Sequence, residues 1–355
     1  MNPTHSTDGM HTTSRRAFLA GAAAGALATA AGVRTIAAAE IAEPRPFYAN
    51  LIHISYNMWA DRKPEEWGML PKDALPNVTY EPYLRCEDAA WDGLLKASAE
   101  AGINVILMDL GDAIQYESHP EIAVKNAWSR DRLRDELARM RKMGLEPIPK
   151  LNFSAAHDTW LGPYKRMVST PTYYQVCRDL IREVIALYET PRFFHLGYDE
   201  ETAGNQAGDD LVIVRQHELW WHDFNFFVDA VTSHGSRPWI WSDYAWKHGP
   251  DFYAKCPKSV LQSNWYYGMT FHHQERGAET YIELEKAGFD QAPCCSNFAH
   301  VENIQKTFDF AAAHIAPSRL KGFVLASWKP ALAKFQDYHM EGIRAFGEAI
   351  QRRKG

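Results

Sequence analysis

One joint recurs along this chain: a helical pattern, a glycine, then an apolar run. Gly102 precedes Ile103, Gly144 precedes Leu145, Gly235 stands two residues before Arg237, Gly288 precedes Phe289, and Gly322 precedes Phe323. Glycine just past a helix and just before a strand is the left-handed cap that turns one into the other. Eight strand-like runs follow in order: Leu51 to Trp59, Ile103 to Leu110, Glu146 to Phe153, Phe193 to Asp199, Arg237 to Trp241, Ser259 to Trp265, Phe289 to Ser296, and Gly322 to Trp328. Helical patterns separate most of them. Asp88 to Ala101 carries Trp91, Leu94, Leu95 and Ser98 on one side, and Arg130 to Met143 carries Leu133, Leu137 and Met140. Thr170-Pro171 supplies an N-cap with proline at the first helical position, ahead of Val176, Leu180, Ile181, Val184 and Leu187. Eight alternations predict one α/β domain, a (β/α)8 TIM barrel over residues 40–355. An open doubly wound sheet is the alternative, but no glycine-rich phosphate loop follows the first strand.

Residues 1–39 read as a leader. Ser14-Arg15-Arg16-Ala17-Phe18-Leu19 is a twin-arginine export signature running into an Ala-rich segment, Ala20 to Val33. That segment falls short of the ~20 apolar residues of a spanning helix, and no later stretch reaches that length, so no membrane anchor is expected. Ala37-Ala38-Ala39 offers a small-residue cleavage site. The expected product begins near Glu40 and is periplasmic or secreted, delivered by the twin-arginine translocation machinery. Without the leader's Arg15, Arg16, Arg34 and Asp8 the formal net charge moves from −6 to −8. An acidic body with no basic run argues against nucleic acid or anionic lipid as partner.

The five cysteines, Cys86, Cys177, Cys256, Cys294 and Cys295, are too few for a disulfide framework in a domain this long. The adjacent Cys294 and Cys295 sit in an apolar run and read as small buried hydrophobes. His119-Pro120-Glu121 and His272-His273 look like metal fragments but lack ligand spacing, so neither a metal nor a cofactor is expected. Nothing in the sequence sets the oligomeric state.

Barrel enzymes build their sites at strand C-termini and the loops that follow. Those positions hold Tyr56, Asn57 and Trp59; Asp109 and Asp112; Asn152 and His157; Tyr198, Asp199 and Glu200; Trp241, Asp243 and Trp246; Asn264, Trp265, Tyr266 and Tyr267; Ser296 and Asn297; and Trp328 and Lys329. Acids, amides and flat rings suit a neutral polyhydroxylated ligand, and the 12 tryptophans point the same way. The fourth run, Phe193 to Glu201, ends in three consecutive carboxylates. An extended strand would send Asp199 and Glu200 to opposite sides and push their pKa values apart; Glu201 has the alternative of starting the next helix. Adjacent carboxylates fit poorly a scheme in which two acids flank the scissile bond at roughly 5 to 5.5 Å. A substrate-assisted scheme fits better: Glu200 handles the proton while Asp199 orients an acetamide that attacks the anomeric carbon.

His195-Leu196-Gly197-Tyr198-Asp199-Glu200 resembles the His-x-Gly-Gly-Asp-Glu motif of the family 20 glycoside hydrolases, the β-N-acetylhexosaminidases. Ile103-Asn104-Val105 with Asp112 beyond, and Ile148-Pro149 with His157 beyond, extend the likeness. The resemblance implies that Asp112 and His157 pair to tune the acid, and that Trp241, Asp243, Trp265, Tyr266, Tyr267 and Trp328 form sugar-binding walls beside Asn57. Either Tyr266 or Tyr267 would steady the oxazoline intermediate. Four positions depart from the pattern. Tyr198 replaces the second glycine, Lys329 and Lys150 stand where glutamates are usual, and no arginine lies on the first strand to grip ring hydroxyls. The resemblance therefore implies a retaining hydrolase of N-acetylhexosamine glycans. A non-catalytic carbohydrate-binding barrel and a metal-dependent sugar-processing barrel are the alternatives.

Overall fold

Alternating side chains along eight short strands build the molecule's centre. In a computed structural model that describes residues 46–63, 77–272 and 274–354, the strands are β1 (Phe47–His53), β2 (Val105–Asp109), β3 (Glu146–Lys150), β4 (Phe193–His195), β5 (Arg237–Trp241), β6 (Leu261–Ser263), β7 (Cys294–Cys295) and β8 (Gly322–Pro330). After them come α1 (Asp88–Glu100), α2 (Arg130–Lys142), α3 (Pro171–Leu187), α4 (His217–Thr232), α5 (Ala245–Lys255), α6 (Arg276–Lys286), α7 (Asn303–His314) and α8 (Gln336–Lys354). The expected twin-arginine leader, the expected start at Glu40 and residues 64–76 of the loop after β1 lie outside the described residues. No helix among the described residues is long and apolar enough to cross a membrane.

All strands are parallel, in the order β6-β5-β4-β3-β2-β1-β8-β7, and the bridges Gln262 to Gln291 and Trp265 to Cys294 join the two ends. The sheet is therefore a nearly closed (β/α)8 barrel, as the helix–glycine–strand joints predict. Phe47, Ala49 and Leu51 of β1, Val105 and Leu107 of β2, and Val324 and Ala326 of β8 fill its interior with Ile148, Phe193, Trp239 and Trp241. The alternate residues Tyr48, Ile52, Ile106, Met108, Phe323 and Leu325 meet the helices. The predicted cap is in place, Thr170 accepting from Tyr173 N at 3.3 Å, and Ser129 caps the preceding helix by accepting from Arg132 N at 3.1 Å, each worth about 1 kcal/mol.

Several strands are shorter or displaced relative to expectation, for local reasons. β3 contains Pro147 and Pro149; Glu146 N bonds toward β2 and Leu151 N toward β4, so both prolines withhold an N–H on the β4 side. The β3–β4 ladder shrinks to Lys150 opposite His195. Four of the five joint glycines have φ between 76° and 84°. Gly322 does not; a Cβ there would lie 2.5 Å from the Phe47 carbonyl oxygen, so close strand approach is what demands glycine.

Candidate active site

Just beyond the strand C-termini lies a cavity of about 210 Å³ lined by Tyr56, Trp59, Asp199, Glu200, Trp265, Tyr267, Phe298 and Trp328. Tyr56 and Trp59 pack at 4.3 Å between ring centroids, and Trp265 stacks on Tyr267 at 5.2 Å. Tyr56 donates to the Trp328 carbonyl at 2.6 Å, and Trp328 Nε1 donates to the Tyr267 hydroxyl at 3.0 Å. The walls are thus tied to one another. A wider depression at the opposite strand ends, between Arg141, Glu146 and Arg192, lies away from the end where barrels carry chemistry.

The loop after β4 aims the two acids. The strand stops at His195 because Gly197, Tyr198 and Glu200 have φ of 71°, 74° and 57°; the expected extended run to Asp199 is not formed. At Gly197 a Cβ would lie 2.0 Å from Asn152 Oδ1, which leaves no room for any side chain. The left-handed turn swings Tyr198 out of the barrel, where it packs on Trp220, Phe224 and Phe227 under the Arg215 guanidinium. Its ring therefore does not crowd the acid, contrary to what its place in the motif implies. Both acids reach the pocket instead of facing opposite sides.

Asp199 Oδ1 accepts from Asn152 Nδ2 at 2.9 Å, and Oδ2 lies 3.4 Å from His157 Nε2. Glu200 Oε2 lies 3.3 Å from that same nitrogen, while Glu200 N donates to Asp243 Oδ2 at 2.8 Å. His157 Nδ1 faces the Met58 carbonyl at 3.3 Å, so both ring nitrogens meet acceptors. Burial alone would lower the His157 pKa, but Asp199 and Glu200 outweigh it and push it up to about 10. Burial likewise disfavours the Asp199 charge, yet His157 and then Lys150 hold that carboxyl well below the usual range. Asp243 is pushed up to about 8 by burial and by the Asp199 charge. The three ligand atoms of His157, Asp199 and Glu200 lie within 4.8 Å of one another, a spacing one cation could share. His119 instead pairs with Glu121 and Asp179, and His272 with Glu275.

The remaining predicted residues divide. Trp265, Tyr267 and Trp328 line the pocket. Tyr266 does not: its hydroxyl donates to the Thr270 carbonyl and its ring meets Phe271. Trp241 is buried below the walls, 6.0 Å from Trp328. Asn57 is scaffold, bonded to Asp112, Arg85 and Glu81. Asp112 accepts from Ser55 at 2.6 Å and Asn57 at 2.8 Å, and burial lifts it to about 7. The expected Asp112–His157 pair is therefore not made; each has other partners. Lys329 lies over Phe335 and Tyr338. Phe298 was not foreseen, because no motif marks the loop after β7, and Tyr56 and Trp59 were visible only as strand-end aromatics.

Glu201 does not start a helix. Its carboxylate accepts from Ala155 N at 2.7 Å and from the buried Arg215, which also meets Asp223 at 3.2 Å. Removing the cation would leave two buried carboxylates unpaired. Arg215→Met is expected to destabilise the fold by about 3–5 kcal/mol in urea titration; a change under about 1 kcal/mol would remove this network from the barrel's support.

The barrel is similar to those of β-N-acetylhexosaminidases. A family 20 exo-β-N-acetylglucosaminidase from Vibrio harveyi, in complex with N-acetylglucosamine, superposes with a TM-score of 0.54 at 14% identity, over 88% of this chain and 57% of that one. A β-N-acetylhexosaminidase from Bacteroides fragilis gives 0.59 at 11% identity, over 86% and 66%. Dispersin B gives 0.51 at 14%, over 76% and 95%. The chain thus spans less than two thirds of the first two, and at these identities the likeness is one of fold. No protein-family model and no curated protein matches the sequence.

Proposed function

We propose that this barrel is a glycoside hydrolase that removes N-acetylhexosamine from glycans with retention, using the substrate's own acetamide. The observation that carries the reading is one imidazole nitrogen, His157 Nε2, bridging two adjacent carboxylates at the wall of an aromatic pocket. Glu200 has 35% of its side chain exposed and takes the proton-transfer role. Asp199, buried and held ionised, accepts the acetamide N–H, which turns the carbonyl oxygen toward the anomeric carbon and stabilises the charge of the oxazolinium. Tyr267 accepts from Trp328 Nε1 and lies 3.6 Å from Cys294 Sγ, a weak acceptor from which its O–H would turn to donate to that oxygen. Trp265 and Trp328 give flat faces for the ring. The chain would work in the periplasm or outside the cell, exported by the leader that the twin arginines mark, and would need no cofactor.

The acetamide requirement provides the test. Turnover of an aryl N-acetyl-β-glucosaminide should exceed that of the matching β-glucoside by at least about 10³-fold, because the glucoside lacks the internal nucleophile. Comparable rates on both would overturn the mechanism. Measurable sugar affinity with turnover of neither would favour the non-catalytic alternative, for which the scarcity of polar wall residues beyond Asp199 and Glu200 speaks.

A further inference from the structure

One side chain joins the acid to a wall of the pocket, and the proposed mechanism gives it no part. Asp243 stands two residues beyond β5, between the strand ends that carry Glu200 and Trp265. The resemblance places it among the sugar-binding walls, yet it does not line the cavity. Both of its oxygens are turned onto the protein instead. Oδ2 accepts from Glu200 N at 2.8 Å, and Oδ1 accepts from Trp265 Nε1 at 3.3 Å. Glu200 and Trp265 do line the cavity, so one carboxyl group holds the first by its backbone and the second by its ring edge.

The backbone bond matters because of the conformation it holds. Glu200 sits at φ 57°, which a non-glycine residue keeps only when its surroundings impose it. Its carbonyl accepts from Thr202 N at 2.6 Å and Asn205 Nδ2 at 3.1 Å, and Asp243 takes its N–H. Asp199 is fastened separately: Asn152 donates to its carboxylate at 2.9 Å, and Ser154 Oγ to its carbonyl. Through its hydrogen bonds Asp243 therefore bears on the proton donor and not on the residue that orients the acetamide. The ring bond fixes the other half. Trp265 stacks on Tyr267 at 5.2 Å and 25°, and the bond from its indole edge to Asp243 sets the rotation of the ring in that stack. A sugar lying on Trp265 is thus registered against Glu200 through one short side chain, and a misplacement of about 1 Å at such a site costs about 10²-fold in rate.

We infer that Asp243 is a positioning residue, which holds the Glu200 carboxyl in register with a sugar ring seated on Trp265, so that protonation of the leaving oxygen depends on both of its hydrogen bonds. The inference rests on the hydrolase reading above and deepens it. Asp243 acts through Glu200 and Trp265 and is not itself catalytic.

The test compares the full chain with Asp243→Asn, an isostere with one acceptor oxygen in place of two. On an alkyl N-acetyl-β-glucosaminide kcat should fall by about 10- to 10²-fold, with a smaller loss on the nitrophenyl glycoside and KM within about twofold. In a Glu200→Gln background the same substitution should cost no more than about twofold, because the residue it acts through is already disabled. Trp265→Phe keeps a flat face and removes the N–H; it should lower kcat with the same leaving-group gradient, and it carries the kinetic test alone should Asp243→Asn not fold. A ¹⁵N–¹H spectrum of the chain labelled at tryptophan reads the ring bond without turnover. The Trp265 indole signal, assigned by its loss in Trp265→Phe, should shift in Asp243→Asn. An unmoved indole signal, losses that multiply with that of Glu200→Gln, equal losses on both leaving groups, or a Trp265→Phe variant that raises KM alone would each overturn this inference and leave the hydrolase reading standing. No turnover of either glycoside by the wild type sinks both.

Discussion

Glu200→Gln should lower kcat on alkyl N-acetyl-β-glucosaminides by about 10²–10⁴ while leaving the fold and sugar affinity intact. The amide preserves the shape of the side chain and can still meet His157, but it has no proton to give a departing oxygen. The loss should shrink on nitrophenyl substrates, whose leaving group needs less protonation to depart, and that gradient separates an acid from a merely structural carboxylate. Steady-state kinetics on both substrate types, with circular dichroism of the variant, makes the measurement. Rates within about twofold of wild type on the alkyl glycoside would remove Glu200 from proton transfer.

Asp199→Asn should cost about 10²–10³ in kcat, because the negative charge that faces the developing oxazolinium is gone while the hydrogen-bonding outline remains. The same change has a consequence in the resting protein. Asp199 is the foremost of the charges that hold His157 near 10, so the imidazole of the variant should titrate well below that value. The sign of the stability effect follows from linkage. The His157 contribution is complete below its ordinary 6.5 and is lost as pH rises toward about 10. The Asp199 contribution is complete above its ordinary 3.8 and is lost as pH falls through the depressed native value. The wild type should therefore exceed the variant in stability most clearly between about 3.8 and 6.5, with the gap closing at alkaline pH. Denaturant titrations across that range check it; a gap that widens above pH 8 would contradict the ion pair.

Much of the architecture was legible because the barrel repeats one local instruction. The Thr170-Pro171 cap, the helix after Ser129 and the glycine joints at Gly102, Gly144, Gly235 and Gly288 each depend on neighbours within a few residues. Strand ends were less legible. β1 begins at Phe47, four residues ahead of the expected start, because Phe47, Tyr48 and Ala49 already pair with β8, and pairing is a property of two distant segments. Gly322 looked like the other joints and serves a different purpose, set by the Phe47 backbone beside it.

At the site, the sequence by itself determined which chemical groups exist and at which strand ends they appear: Asp199 and Glu200 after β4, His157 after β3, the rings of Trp265, Tyr267 and Trp328 after β6 and at β8. Tertiary structure alone decided their directions. The positive φ at Gly197, Tyr198 and Glu200 turned Tyr198 into the core and brought both acids to one histidine. Packing against Phe271 withdrew Tyr266 and left Tyr267 in the pocket, and Asn57 and Asp112 bonded each other instead of a ligand or His157. Residue identity fixes what a side chain can donate, accept or stack on, but where it points depends on backbone dihedrals and on partners dozens of residues away, and no local pattern records either.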